Sequence, residues 1–261
     1  MVEGGALRVT VYGHTGVVGR VLYEYLRELA GLAVGGVSLD GETPGADDCE
    51  WAFVCVPTPT VDGGQDQGPL YSVLRRTRAR NVVIRSTVLP GTCAVIQATH
   101  PEWAVYHWPE FLSARRAKAD FRHPHTQVVG CVDSQPWAET WERRLPGRWQ
   151  PTQYVDLSTA ELIKYAHNCH GAMEVIFANL LHDACERSGA QYECVRGVMP
   201  SLGYLSRPMV QTYWNVHQDG KRGYAGACFP KDVQALAVWL GEQGELLQGM
   251  EKANARLRGE K

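Results

Sequence analysis

A thiol, an ammonium and a carboxylate fall within five positions of this 261-residue chain, as Cys228, Lys231 and Asp232. They close the segment Gly223-Tyr224-Ala225-Gly226-Ala227-Cys228-Phe229-Pro230-Lys231-Asp232. A nearby cation favours the thiolate, which is the nucleophilic form of cysteine. The small residues before it, Gly226 among them, let a substrate and the backbone approach closely. The plain alternative is a buried structural cysteine before a helix, because a cysteine is most often a small hydrophobe. Upstream, Lys164 and Asn168 stand four residues apart, one above the other on a single helix face. A cation and an amide donor on that face can stabilise an oxyanion. A surface lysine and a packing asparagine would leave the same trace.

The elements that must position these groups start at Leu7–Tyr12, a β-branched run that reads as a strand. It enters Gly13-His14-Thr15-Gly16-Val17-Val18-Gly19, and Val21, Leu22, Tyr25, Leu26 and Leu29 then recur at helical spacing. Strand, glycine turn and helix form the context of a dinucleotide site, where the helix N-terminus receives a pyrophosphate. Gly13, Thr15, Gly16, Val17 and Val18 are the candidates, with Thr15 standing where a middle glycine is usual. Residues 33–39 read as a second strand, and Asp40 after it is placed to take adenosine ribose hydroxyls, which favours NAD over NADP. A surface acid in Asp40-Gly41-Glu42 is the alternative. Residues 51–56 are a continuous apolar run of the parallel-sheet type, only ten residues beyond Asp40. That run opens into Pro57-Thr58-Pro59-Thr60, at the strand end where a cofactor crevice lies. Residues 82–92 are another buried strand ending in Ser86, Thr87 and a Pro-Gly turn, and residues 126–130 read as the last strand of this half. From Ser158, with Glu161 three residues on as a capping box, helical periodicity runs about 30 residues to Ser188-Gly189. Further helices are expected after Asp232 and over residues 246–257.

The formal charge of −2 gives no electrostatic reason to expect nucleic acid or an anionic membrane as partner. No apolar run approaches the roughly 20 residues of a membrane span, and the N-terminus lacks a signal pattern. Eight cysteines at 49, 55, 93, 131, 169, 185, 194 and 228 have no CxxC and no zinc-like spacing. Reduced thiols and a cytoplasmic location are therefore expected, with no metal. The histidines read as surface or packing residues.

Several of these segments resemble the UDP-glucose/GDP-mannose dehydrogenase family, in the family's order. Residues 223–232 resemble its Gly-x-Gly-Gly-x-Cys-x-x-Lys-Asp signature, and Cys55–Pro59 match its Cys-Val-Pro-Thr-Pro. Residues 86–92 resemble Ser-Thr-Val-x-Pro-Gly-Thr, and Trp108-Pro109-Glu110-Phe111-Leu112 resembles Asn-Pro-Glu-Phe-Leu. Residues 161–168 resemble Glu-x-x-Lys-Tyr-x-x-Asn, and Asn179 matches a further, structural asparagine. The family oxidises a primary alcohol of a nucleotide sugar to a carboxylate with NAD, through a thiohemiacetal and a thioester. The resemblance implies Cys228 as nucleophile, Lys164 and Asn168 as oxyanion holders, and Thr87 with Asp232 as water positioners. It implies Glu110 as a base or relay group. Val56, Pro57, Thr58, Thr87 and Lys231 join the cofactor set, with Lys231 also able to lower the thiol pKa. Glu110, Phe111, Leu112, Lys164, Asn168, Tyr224, Gly226 and Cys228 form the substrate set. The chain departs from the family at Trp108, which replaces Asn, and at Ser113-Ala114-Arg115, which replaces Arg-Glu-Gly.

The expected fold is α/β: a reduced Rossmann-type parallel sheet over residues 1–155, then a smaller all-helical domain over 156–261 joined by the long helix. The helix and strand the family places after Asp40 are expected to be missing. The resemblance covers residues 6 to 257, or two of the family's three domains, so a short form without the C-terminal nucleotide-sugar-binding domain is expected. The expected function is NAD-dependent oxidation of a primary alcohol of a sugar, nucleoside or nucleotide sugar, in a homodimer built on the long helix. Trp and Tyr residues in 207–224 are expected to be exposed at a substrate mouth or interface. A redox-neutral dehydratase using bound NAD, or a non-catalytic NAD-binding protein, remains open at this level.

Overall fold

The computed structural model describes residues 6–44, 46–61, 64–146, 151–203, 206–217 and 220–260. The chain divides into two compact units, residues 1–59 with 65–164, and residues 60–64 with 165–261.

The first unit opens with β1 (Leu7–Tyr12), α1 (Val17–Glu28), β2 (Leu32–Ser38), β3 (Gly41–Glu42) and β4 (Trp51–Val54). β5 (Thr60–Val61) and β6 (Gly64–Gln65) pair with each other in a separate two-stranded ribbon, whose residues 60–64 belong to the second unit. There follow α2 (Gly68–Arg76), β7 (Asn81–Ile84), α3 (Thr92–Thr99), β8 (Ala104–His107) and α4 (Ala117–Arg122). β9 (Val128–Gly130), α5 (Gln135–Trp141) and β10 (Gln153–Val155) complete the unit, except for the start of α6 (Leu157–Ser188). The main sheet has eight strands in the order β10-β9-β8-β7-β4-β1-β2-β3. Its pairings are parallel except β8 with β9 and β2 with β3. β10 lies beyond β9, so residues 126–130 are not the last strand. Among the described residues between β2 and β4, only the two-residue β3 is a strand and none is helical.

The central strands are apolar throughout because both sheet faces are covered, and successive side chains alternate between them. Ala52, Val54, Val82 and Ile84 join one core with Leu70 of α2 and Ile96 of α3. Val9, Val11, Trp51, Phe53 and Val83 join the other with Leu22 and Leu26 of α1. That second core is aromatic: Trp51 stacks on Tyr106 at 5.4 Å between centroids and meets Trp141 edge-on, also at 5.4 Å. Such pairs add about 0.5–1.5 kcal/mol each beyond area burial.

The second unit carries most of α6, then α7 (Tyr192–Val198), a 3₁₀ turn at Met199–Leu202, α8 (Arg207–Tyr213), α9 (Phe229–Leu240) and α10 (Glu245–Arg258). Its α6 is 32 residues long. Two expectations are corrected here. Trp214 and Tyr224 are buried and Tyr213 is half-buried, because they are core: Trp214 donates to Glu174 at 2.8 Å and Tyr192 donates to the Trp214 carbonyl at 2.8 Å. The start of α6 is capped by Asp156, whose carboxylate accepts from the Thr159 N–H and hydroxyl, and not by Ser158. Glu161 is then available for a tertiary role.

Among the described residues no helix is long and apolar enough to cross a membrane.

His107, at the end of β8, is fully buried. Burial, reinforced by the charges of Arg85 and Lys164, pushes its imidazole down to about 3 from an ordinary 6.5. Protons therefore bind the unfolded chain better than the folded one, and stability should fall as pH drops below 6.5, by up to about 1.4 kcal/mol per pH unit. Urea unfolding between pH 7 and 5 should show this slope in the wild type and a flatter one in His107→Phe.

Candidate active site

The glycine turn is built by contact. Gly13 has φ +81°, and a Cβ there would lie 2.5 Å from the Cys55 carbonyl oxygen. At Gly19 a Cβ would lie 2.1 Å from the Gly13 carbonyl oxygen, so α1 can leave β1 this sharply only through glycine. Gly16 is under no such pressure, its virtual Cβ being 3.4 Å from its nearest neighbour. Gly16 is the N-cap of α1, with no side-chain cap bond and no acid in the first turn. Thr15, Gly16 and Val17 are exposed and Val18 half-exposed. An uncapped helix N-terminus beside small exposed residues fits a pyrophosphate. Asp40 is exposed in the turn between β2 and β3, its N–H bonded to the Ser38 hydroxyl.

The ends of β4 and β7 are tied together. Thr58, 2% exposed, donates its hydroxyl to the Thr87 carbonyl at 2.6 Å, and Ser86 donates to the Val56 carbonyl at 2.7 Å. Thr58 thus holds Thr87 in place, while Val56 and Thr87 are half-buried and Pro57 is exposed.

Glu110 and Lys164 form a buried pair. Lys164 Nζ donates to Glu110 Oε1 at 2.9 Å and to the Glu110 carbonyl at 2.5 Å. The Leu112 N–H donates to Glu110 Oε2 at 2.6 Å, and the Phe111 ring lies 5.6 Å from Nζ. Burial alone would raise the Glu110 carboxyl; the Lys164 ammonium, the Leu112 N–H and the Arg85 charge outweigh it and hold the group below its ordinary value. Lys164 is therefore fixed by a carboxylate, a partner the helix-face reading did not supply. One helical turn earlier, Glu161 is fully buried and accepts from the N–H groups of Gly91 and Cys93 at 2.6 and 2.7 Å. It caps α3, and the sequence signal that could have pointed to it is a glutamate on the apolar face of α6.

In the second unit, Asp232 is fully buried. It accepts from Asn168 Nδ2 at 2.6 Å and from Lys231 Nζ at 2.5 Å. Asn168 spends one of its two N–H donors there. Cys228 is exposed and is the N-cap residue of α9, where the unbonded N–H groups of a helix favour a negative sulfur. All eight cysteines are thiols.

Two residues that sequence reasoning missed hold the segment leading to the thiol. Asn254 of α10 accepts from the Tyr224 N–H at 2.7 Å and donates to its carbonyl at 3.0 Å. Arg222 bonds the side chain and carbonyl of Asn179 at 2.9 and 2.8 Å and pairs with Asp183 at 2.6 Å. Asn179 is therefore structural. Gly226 is exposed with φ +89° and nothing within 4 Å of a virtual Cβ.

Fold and glycine turn together define a Rossmann-type dinucleotide-binding protein. Residues 16–143 match the UDP-glucose/GDP-mannose dehydrogenase family's NAD binding domain and residues 158–256 match its central domain, so the chain belongs to that family and its cofactor is NAD. It is 34% identical over 196 residues to a UDP-glucose 6-dehydrogenase of Rickettsia conorii, covering 70% of this chain and 43% of that protein. It is 30% identical over 242 residues to one from Pseudomonas aeruginosa, covering 81% and 50%. The chain thus spans half or less of the length of these relatives. In fold it resembles a UDP-glucose dehydrogenase from Pyrobaculum islandicum, with TM-score 0.75, 24% identity, and 99% of this chain and 70% of that one covered.

Two predictions follow from this geometry. Gly19→Ala should destabilise the protein by more than about 2 kcal/mol in urea unfolding, whereas Gly16→Ala should leave folding within about 0.5 kcal/mol of wild type. Lys164→Met strands a buried carboxylate and should cost about 3–5 kcal/mol, and adding Glu110→Gln should recover part of that loss in a double-mutant cycle.

Proposed function

We propose that the chain oxidises the primary alcohol of a nucleotide sugar to a carboxylate, with Cys228 as covalent nucleophile. The observation that carries this reading is the exposed thiol at the start of α9, one turn before a buried carboxylate held by Asn168 and Lys231. The names of its relatives supply the substrate class.

Gly13, Thr15, Gly16, Val17 and Val18 would hold the NAD pyrophosphate, Asp40 the ribose, and Val56, Pro57, Thr58, Thr87 and Lys231 the remainder. Bound there, NAD supplies hydride acceptance. The Cys228 sulfur adds to the carbon of the aldehyde formed from the alcohol, giving a thiohemiacetal. The negative oxygen of that adduct is met by the Lys164 ammonium and by the second N–H of Asn168. Oxidation of the adduct leaves a thioester. Water oriented by Asp232 and Thr87 opens it, releasing the carboxylate and returning the thiol. Glu110, kept ionised, fixes Lys164 and accepts a proton from the alcohol or the water. Phe111, Leu112, Tyr224 and Gly226 shape the sugar pocket.

A homodimer in the cytoplasm is part of this reading. Met173, Phe177 and Leu180 are exposed at helical spacing on α6, which supports association along that helix. Light scattering on purified protein should return twice the chain mass.

With UDP-glucose, GDP-mannose and NAD, the expected result is two NADH formed per acid produced. Cys228→Ala should lower the rate of acid formation at least about 10³-fold. A variant within tenfold of wild type would remove the covalent role. A dehydrated product with no net NADH would instead establish the redox-neutral reaction.

A further inference from the structure

Arg85, just after β7, is 4% exposed, and its Nε and Nη1 are buried with no hydrogen-bond partner. The Trp108 ring covers the guanidinium, 3.7 Å from Cζ to the ring centroid, and the Phe121 ring lies 6.0 Å away. Glu110 attracts Arg85, but both its carboxylate oxygens already accept, from Lys164 and from the Leu112 N–H. The buried ionised groups Arg85, Lys164 and Glu110 therefore leave one positive charge in excess. A buried charge without a hydrogen-bonded counterpart is costly.

Arg85 stands in the wall of a cavity of about 430 Å³, together with Trp108, Leu112, Phe121 and Gln127. That volume is in the range of small-molecule sites. Gln127 is 5% exposed and its Oε1 also lacks a partner. The wall thus offers unmatched donors on a cation and an unmatched acceptor on an amide. An occupant that satisfies both carries negative oxygen and a hydroxyl hydrogen.

We propose that this cavity binds a small hydroxylated oxyanion, a monohydrogen phosphate or a hydroxycarboxylate, with Arg85 as its charge partner and Gln127 as acceptor of its hydroxyl. Trp108 shields the pair from water, which strengthens the attraction. The cavity shares Glu110, Phe111 and Leu112 with the proposed sugar pocket, but the two groups proposed to hold the anion, Arg85 and Gln127, take no part in hydride or thiol chemistry, and the test needs no turnover.

The experiment is thermal unfolding of the full chain against inorganic phosphate, sulfate, malate and succinate, at matched ionic strength. Sulfate and succinate carry the charge without the hydroxyl. Phosphate or malate should raise the midpoint saturably, by about 3–5 °C at ten times the dissociation constant, and more than its hydroxyl-free counterpart. A shift with phosphate alone assigns a phosphate group, and one with malate alone a carboxylate. Arg85→Met should abolish the shift while melting at or above the wild type in anion-free buffer, since it removes an uncompensated buried cation. Gln127→Leu should remove the preference for the hydroxylated anion. No saturable shift in the wild type beyond the ionic-strength control would overturn the proposal, as would an undiminished shift in Arg85→Met. Should Arg85→Met not fold, the wild-type titrations and Gln127→Leu decide alone: a hydroxyl preference lost in Gln127→Leu sustains the site, and its absence overturns it.

Discussion

The first turns of α6 carry two titratable side chains, Glu161 and Lys164, into the interior, and much of the first unit depends on how they are satisfied. Glu161 closes the N-terminus of α3 by accepting two backbone N–H groups, and Lys164 fixes the segment after β8 by binding Glu110 twice. The two residues lie three apart, so they project from neighbouring positions of one helix face. A buried charge is tolerated only when its partners are in place. The helix start, the α3 start and the loop after β8 are therefore fixed together. Asp156 completes this arrangement by capping α6 from outside, which leaves Glu161 for the interior.

The second unit solves a different problem, the presentation of an exposed thiol by a well-held backbone. The segment before Cys228 has little side-chain bulk with which to pack. It is held instead at its beginning, by Arg222 on Asn179 and Asp183 and by Asn254 on both backbone groups of Tyr224. After the thiol, Asp232 is fixed by Asn168 and Lys231. Loop residues positioned by helices in this way combine exposure with order, which the role proposed for Cys228 requires.

The departures from the family pattern gain physical content from the first unit. Trp108, in place of asparagine, covers Arg85 and joins Phe53 and Trp137 in the aromatic core. Ser113-Ala114-Arg115 stay exposed. The substitution is thus less a lost polar group than a new apolar roof over a buried cation.

Local signals in the sequence determined a good deal. The apolar runs of β1, β4 and β7 announced a sheet covered on both faces, the glycine turn announced a dinucleotide site, and the 32-residue helix followed from periodicity alone. The Cys-x-x-Lys-Asp spacing singled out the thiol together with the carboxylate four residues on; that the thiol sits at the start of a helix is seen in the fold. These are short-range facts, carried by residues a few positions apart. Pairings across long separations were settled only by the tertiary structure. Lys164 meets Glu110 across 54 residues, Glu161 meets Cys93 across 68, and Asn168 meets Asp232 across 64. The sequence placed Lys164 and Asn168 on one helix face but could not name the carboxylates they meet, nor tell a capping Glu161 from a buried one. It read Trp214 and Tyr224 as exposed because aromatic residues among polar ones look like surface. The fold buries both: the Trp214 indole N–H finds Glu174, and Asn254 holds the backbone of Tyr224, each partner supplied by chain that is distant in sequence.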